Sequence, residues 1–251
     1  MSVLLNDAAN EYLYDGSAVL TAVPLTMVCR FYIDDDTVNN GLISICDFSS
    51  NFNYFMLATI RSGTASHPSE IWGYTVGGSS AKAYSGNQYS QDTWHHAAFV
   101  SSAVNSRYAY LDGVPGAQDT VSITPSGLDI TGIGVLLRDA VTMYASGKIA
   151  EVGIWNVALT TAEIEILSKG YCPLLVRPQN LVAYWPLIRE VSAGVYRDII
   201  GGRNTGEVGG SDTADHPRVI FPQGQQISSV APIATLILPL AMHHYRNMRL
   251  T

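Results

Sequence analysis

Apolar and polar residues alternate with a period of two along most of the chain. Residues 25–34, LTMVCRFYID, put Leu25, Met27, Cys29 and Phe31 on one face, the spacing of a half-buried strand. The same pattern predicts strands over 41–48, 54–60, 70–76, 93–101, 106–111, 121–124, 130–137, 147–155 and 181–187. Residues 10–20 read as an edge strand and turn in which Tyr12 and Tyr14 alternate. Asp112-Gly113 predicts a tight hairpin, because both central turn positions tolerate positive φ. The Gly/Ser-rich stretch 77–91 reads as hairpin and loop, and the Gly-rich stretch 189–224 as loop. One segment departs from the alternation. After the strand at 147–155 and a turn at 156–159, Thr160 or Thr161 can cap a helix over 162–167. Glu163 suits its N-terminal dipole, and Gly170 supplies a left-handed stop. Eleven or more strands with one short helix predict an all-β fold, a two-sheet antiparallel jelly-roll sandwich with an irregular C-terminal tail.

Composition sharpens this reading. Hydrophobic residues make up 47% of 251, ample for one large domain, assigned to 1–226, followed by a tail at 227–251. Charged residues are only 14% and the net charge is −7, with no basic stripe to face phosphates, which argues against nucleic acid as a partner. No run of about 18 apolar residues exists, so no membrane span is expected. The N-terminal MSVLLNDAAN lacks the basic region of a secretory signal, so synthesis in a cytoplasm is expected. Cys29, Cys46 and Cys172 show no CxxC spacing and read as small core hydrophobes.

Five segments occur in a distinctive order: NEYLYDG…PLTMVCRFYI, DTWHHAAFV, SRYAYLDGVPG, GKIAEVGIWNVALTTAEIEIL and LVAYWPL. Together, over roughly residues 3–190, this order resembles the laminin-G-like, concanavalin A-like jelly rolls, also called the pentraxin-like group. Trp94 and Trp155 are then expected as inward anchors where the sheets meet, with Trp185 closing the last strand over the core. The resemblance implies non-covalent recognition, often of carbohydrate and sometimes with calcium on the sandwich rim.

Candidate chemistry is sparse. A glycosidase on this fold needs two acids on one strand face, typically an ExDxxE run, and none occurs. Glu163 and Glu165 are two apart on the helix, and Glu151 stands alone, so no enzyme activity is expected. No GxSxG elbow or phosphate-binding loop is present, and no cofactor is expected beyond a calcium option. Calcium needs converging loop oxygens, for which Asp34, Asp36 and Asp112 are the candidates. His95 and His96, adjacent on a strand, should face opposite sides, one packed and one exposed. A glycan site needs exposed aromatics beside hydrogen-bonding groups, and Trp72, Tyr74, Tyr84 and Tyr89 are the candidates.

The tail carries Ile233, Leu236, Leu238 and Leu240 close together, then the basic end His243, His244, Tyr245, Arg246 and Arg249. A solvated tail should be polar, so these residues are expected to anchor the sandwich to a partner. With cytoplasmic synthesis, this combination resembles phage-encoded laminin-G-like proteins. The leading expectation is therefore a non-catalytic structural or decoration protein of a bacteriophage virion. It would be a homo-oligomer bound to other virion proteins through its tail, with the sandwich displayed outward. The alternative is a carbohydrate-binding adhesion module, calcium-dependent in some forms.

Overall fold

The computed structural model describes residues 2–188, 190–192 and 194–221. The tail and its expected anchors (Ile233, Leu236, Leu238, Leu240, His243, His244, Tyr245, Arg246 and Arg249) lie outside the described residues. Strands follow in order as β1 (Ser2–Leu5), β2 (Tyr12–Asp15), β3 (Leu25–Ile33), β4 (Asn40–Cys46), β5 (Asn53–Thr59) and β6 (Glu70–Gly77). Next come β7 (Ser79–Gln88), β8 (His95–Ala103), β9 (Ser106–Leu111), β10 (Val114–Pro115), β11 (Ile130–Ile133) and β12 (Gly147–Trp155). Helix α1 (Thr161–Ser168) precedes β13 (Leu181–Trp185), β14 (Glu190–Ser192), β15 (Val195–Tyr196), β16 (Gly206–Val208) and β17 (Asp212–Ala214). They form an eight-stranded sheet, β10-β9-β8-β3-β12-β1-β17 with β13 also on β12, a seven-stranded sheet, β16-β2-β11-β4-β5-β6-β7, and a separate two-stranded ladder, β14-β15. All the ladders are antiparallel, as a jelly-roll sandwich requires. No helix among the described residues is long and apolar enough to cross a membrane.

The main core lies between the sheets. β3 contributes Leu25, Met27, Cys29, Phe31 and Ile33, every second residue, as its alternation predicts. Phe55, Leu57 and Ile71 face them from the other sheet, beside Phe99 of β8. β12 departs from simple alternation. Ile149 points into this core, and so do Val152 and Ile154, a change from odd to even positions. The cause is a bulge between Ala150 and Gly153, where Glu151 adopts φ 55. The bulge overturns the expectation for Trp155. Its ring is fully buried but on the outer side of the eight-stranded sheet, where its Nε1 donates to Val176 O at 2.8 Å. Trp94 is not a core anchor either. It sits half-buried, edge-on to Tyr32 at 5.9 Å. Trp185 closes the inner core as expected.

The outer side of the eight-stranded sheet is covered. Thr160 caps α1 and forms a reciprocal capping box with Glu163, and Gly170 leaves the helix at φ 97. Ile164 and Leu167 pack over Val28, Ala98, Val100, Tyr110, Trp155 and Tyr184. Arg30, on the outward side of β3, donates from Nη2 to Leu167 O at 3.1 Å and Ser168 O at 2.7 Å, satisfying carbonyls that the helix end leaves open. The stretch read as loop, 189–224, instead supplies four short strands, of which β16 pairs β2 and β17 pairs β1. The strand expected at 121–124 does not form. The Asp112-Gly113 hairpin does, with φ 50 and 87.

Beneath the end of α1 lies a buried polar cluster that the sequence did not announce. Arg30, His96 and Glu151 line a space with room for about one water. Tyr184 donates its hydroxyl to Glu151 Oε2, and Cys172 Sγ lies 3.5 Å from that hydroxyl. Glu151 Oε1 lies 3.2 Å from His216 Nε2, off the direction of a hydrogen bond. Neither ring nitrogen of His96 has a hydrogen-bond partner among the described residues. Burial, reinforced by Arg30 and partly opposed by Asp112, pushes the His96 pKa down to about 3. Burial pushes the Cys172 thiol up to about 12.

Two predictions follow from this packing. Trp155→Ala should cost about 3–5 kcal/mol of stability in urea unfolding, and Trp94→Ala about 1 kcal/mol. Equal costs would contradict the difference in burial between the two rings. For His96, the folded pKa of about 3 lies below the unfolded value of about 6.5. Above pH 6.5 the residue is neutral in both states and adds no pH dependence. As pH falls from there toward 3, the unfolded chain takes up a proton that the folded one refuses. Stability should then drop by about 1.4 kcal/mol per pH unit relative to a His96→Gln variant. A difference that stays flat from pH 7 to 4 would show that folded His96 accepts the proton.

Candidate functional site

The seven-stranded sheet has a different outer side. Toward β4 and β5 it is closed, with Cys46, Tyr54, Met56 and Ala58 buried beneath Leu136 and Met143 of the 134–146 loop. Toward β6 and β7 it opens. Trp72, Tyr74, Lys82 and Tyr84 are all half-buried there. Period-two geometry assembles them: on β6, Trp72 and Tyr74 share a face, Trp72 opposite Tyr84 and Tyr74 opposite Lys82 of β7. Gly73 between them is required by packing, since a Cβ there would lie 2.3 Å from the Phe99 ring. The backbone carrying the two rings is thereby pressed against the core.

The rings pack in two neighbouring groups. Trp72 and Tyr74 stack at 4.6 Å with an 18° interplanar angle, and Tyr54 meets Tyr74 edge-on at 5.4 Å. Tyr84 stacks on His67 at 3.7 Å, nearly parallel. Lys82 Nζ lies 5.1 Å from the ring centres of both Trp72 and Tyr74. The Arg138 guanidinium lies 5.8 Å from Tyr54, with Nη1 donating to Asn51 O at 2.9 Å. Burial raises the phenol pKa values of Tyr54 and Tyr84, so both rings stay neutral. Glu70, at the end of the row, is buried, accepts from Gly86 N at 2.9 Å and sits 3.3 Å from His67 Nδ1.

Three of the four expected glycan residues therefore come together, and the fourth does not. Tyr89 is 4% exposed, meets Phe31 edge-on in the inner core at 5.6 Å, and donates its hydroxyl to Ile60 O. It presents no surface to a ligand. Asp34, Asp36 and Asp112 do not form the expected calcium group. Asp34 Oδ1 accepts from Ser146 Oγ, and Asp36 O accepts from Ser62 N. Asp112 is held by His95 Nδ1 at 2.7 Å and His96 N at 2.8 Å. Hydrogen bonding to these groups lowers its pKa despite burial, fixing the carboxylate as the lock of its hairpin. Among the described residues, no three histidine, cysteine, aspartate or glutamate side chains come together to hold a metal ion. His95 and His96 do face opposite sides, but neither is freely exposed. His95 stacks on Phe31 at 5.6 Å, and His96 is 3% exposed. Lys82, Arg138 and Tyr54 were not singled out from sequence. The available signal was register: Lys82 follows from pairing β7 on β6, and Tyr54 from pairing β5 on β6.

Comparisons with known proteins agree with the fold. Residues 7–165 match the Laminin_G_3 family, described as the concanavalin A-like lectin/glucanases superfamily. No curated protein matches the chain. Among solved structures, one from Bacteroides ovatus described as a candidate carbohydrate binding protein is similar, with TM-score 0.60 and 19% identity over 87% of this chain and 61% of that one. The chain thus spans under two thirds of that protein. The CBM40 of the Ruminococcus gnavus IT-sialidase is similar at TM-score 0.53 and 13% identity, covering 67% of this chain and 97% of that one. Domain 4 of a Geobacillus stearothermophilus extracellular arabinanase, solved with arabinotriose, matches at TM-score 0.50 and 14% identity, over 61% and 69%. At these identities the likeness establishes the fold, and two of the three are parts of enzymes. With the two-sheet sandwich, the capped helix and the family match in agreement, the chain belongs to the concanavalin A-like lectin/glucanases superfamily.

Proposed function

We propose that this domain is a non-catalytic carbohydrate-binding module whose ligand lies on the outer face of the seven-stranded sheet. The observation that carries the reading is the half-exposed group Trp72, Tyr74 and Tyr84 on paired strands, held by a backbone packed against the core. Rigid amphipathic rings offer contact area to a sugar at low entropic cost, beside the polar groups of Lys82 and His67. Hydrolysis needs two carboxyl groups about 5–10 Å apart on such a face. On the outward positions of β5, β6 and β7 the one carboxylate is Glu70, already engaged by Gly86 and His67. The three similar structures described as carbohydrate binding, as a carbohydrate-binding module or as bound to arabinotriose support a binding role over a catalytic one.

A second reading, a bacteriophage decoration protein held as an oligomer by residues 227–251, rests on the apolar sequence of that segment. It predicts that sedimentation shows an oligomer for the full chain and a monomer for a chain ending at residue 226. A monomer in both cases removes its support.

For the carbohydrate reading, Trp72→Ala and Tyr74→Ala should each weaken binding about tenfold or more in affinity electrophoresis against a panel of polysaccharides. Tyr89→Phe and Trp94→Ala should leave binding unchanged. Retention unaffected by Trp72→Ala, or lost with Trp94→Ala, would move the site elsewhere.

A further inference from the structure

Lys82 and Arg138 carry information about ligand charge. The chain is acidic, at net −7, yet two cations stand over one aromatic group. Three consecutive contacts link them: Lys82 to Tyr74 at 5.1 Å, Tyr74 to Tyr54 at 5.4 Å, and Tyr54 to Arg138 at 5.8 Å. Neither cation has an ion-pair partner among the described residues. Asp139, next in sequence to Arg138, accepts from Asn51 Nδ2 instead. Arg138, half-buried, donates one hydrogen bond among the described residues, from Nη1 to Asn51 O.

This arrangement suits one kind of sugar better than another. A neutral sugar stacks through its C–H groups on the same ring faces that an ammonium seeks, so Lys82 would compete with it for Trp72 and Tyr74. An anionic sugar draws the ammonium off the rings into a charge-assisted hydrogen bond, which frees the faces for its own ring. The planar guanidinium of Arg138 adds a second anion contact one aromatic ring further along. Glu70, the carboxylate of this row, is screened from such a ligand because it is buried and hydrogen-bonded.

We infer that this face selects anionic oligosaccharides, bearing carboxylate or sulfate groups, over neutral ones, with Lys82 and Arg138 as the specificity-determining residues. The inference rests on the carbohydrate reading above and narrows it to a ligand class. The test is isothermal titration of the full chain with oligogalacturonate, with its methyl ester as the neutral counterpart, and with a sulfated, carboxylate-free carrageenan oligosaccharide. The expected result is binding of at least one anionic probe about tenfold more tightly than the ester, weakening as salt rises. Lys82→Gln and Arg138→Gln should each reduce that preference about threefold, and the tighter of the two anionic probes names the anion. Unfolding midpoints matching wild type show that both variants are folded. Equal binding of acid and ester, lost in Trp72→Ala, overturns the inference and leaves the carbohydrate reading standing. A preference that survives both substitutions overturns the assignment of these residues. Neutral polysaccharides retained through Trp72 while no anionic probe binds also overturns it, and absence of binding to any glycan removes the carbohydrate reading with it.

Discussion

The β3–β12 pair is buried on both faces, and the rest of the molecule is arranged around that constraint. Ile149, Val152 and Ile154 of β12 meet the inner core, while Trp155 meets a second core on the opposite side. A sheet that is apolar on both sides needs cover on both. The seven-stranded sheet covers one side. Helix α1 and the chain around Val219 and Phe221 cover the other. Arg30 then joins helix and sheet by holding the Leu167 and Ser168 carbonyls. With one outer face closed in this way, the outer side of β6 and β7 is left half-exposed among the described residues, where the ligand is proposed to lie.

Much of this organisation was legible in the sequence, for local reasons. The alternation of 25–34, a threonine cap with Glu163 in the first turn of α1 and the Asp112-Gly113 hairpin each depend on residues close together in the chain, and each appears as expected. What was not legible depends on distant partners. The Ala150–Gly153 bulge shifts the parity of β12, so counting by twos from Ile149 sends Trp155 to the wrong side. The strands β16 and β17 are three residues each, too short to show a period. They form because the edges of β2 and β1 offer backbone groups that need pairing. The proposed site divides the same way. Trp72 and Tyr74 announce themselves by spacing, whereas Lys82 in a Gly/Ser-rich stretch and Arg138 on a remote loop gain meaning only through register and loop packing. Tyr89 failed because it lies one residue past β7, where the chain turns into the core.

Two of the charged regions differ in their surroundings. The cluster of Arg30, His96, Glu151 and Tyr184 lies beneath the end of α1 around a space for about one water, and its physics concerns stability. Lys82 and Arg138 are half-buried and stand beside aromatic rings, and on the proposed reading they serve recognition.

The central claim is that ligand contact occurs at the β6–β7 face. It is tested most directly by following the four tryptophan indole N–H signals in nitrogen-15 spectra while an oligosaccharide that binds the chain is titrated in. The account predicts that the Trp72 signal moves in a saturable way, while those of Trp94, Trp155 and Trp185 stay in place. A titration that moves Trp94, or leaves Trp72 unmoved while binding saturates, would contradict it.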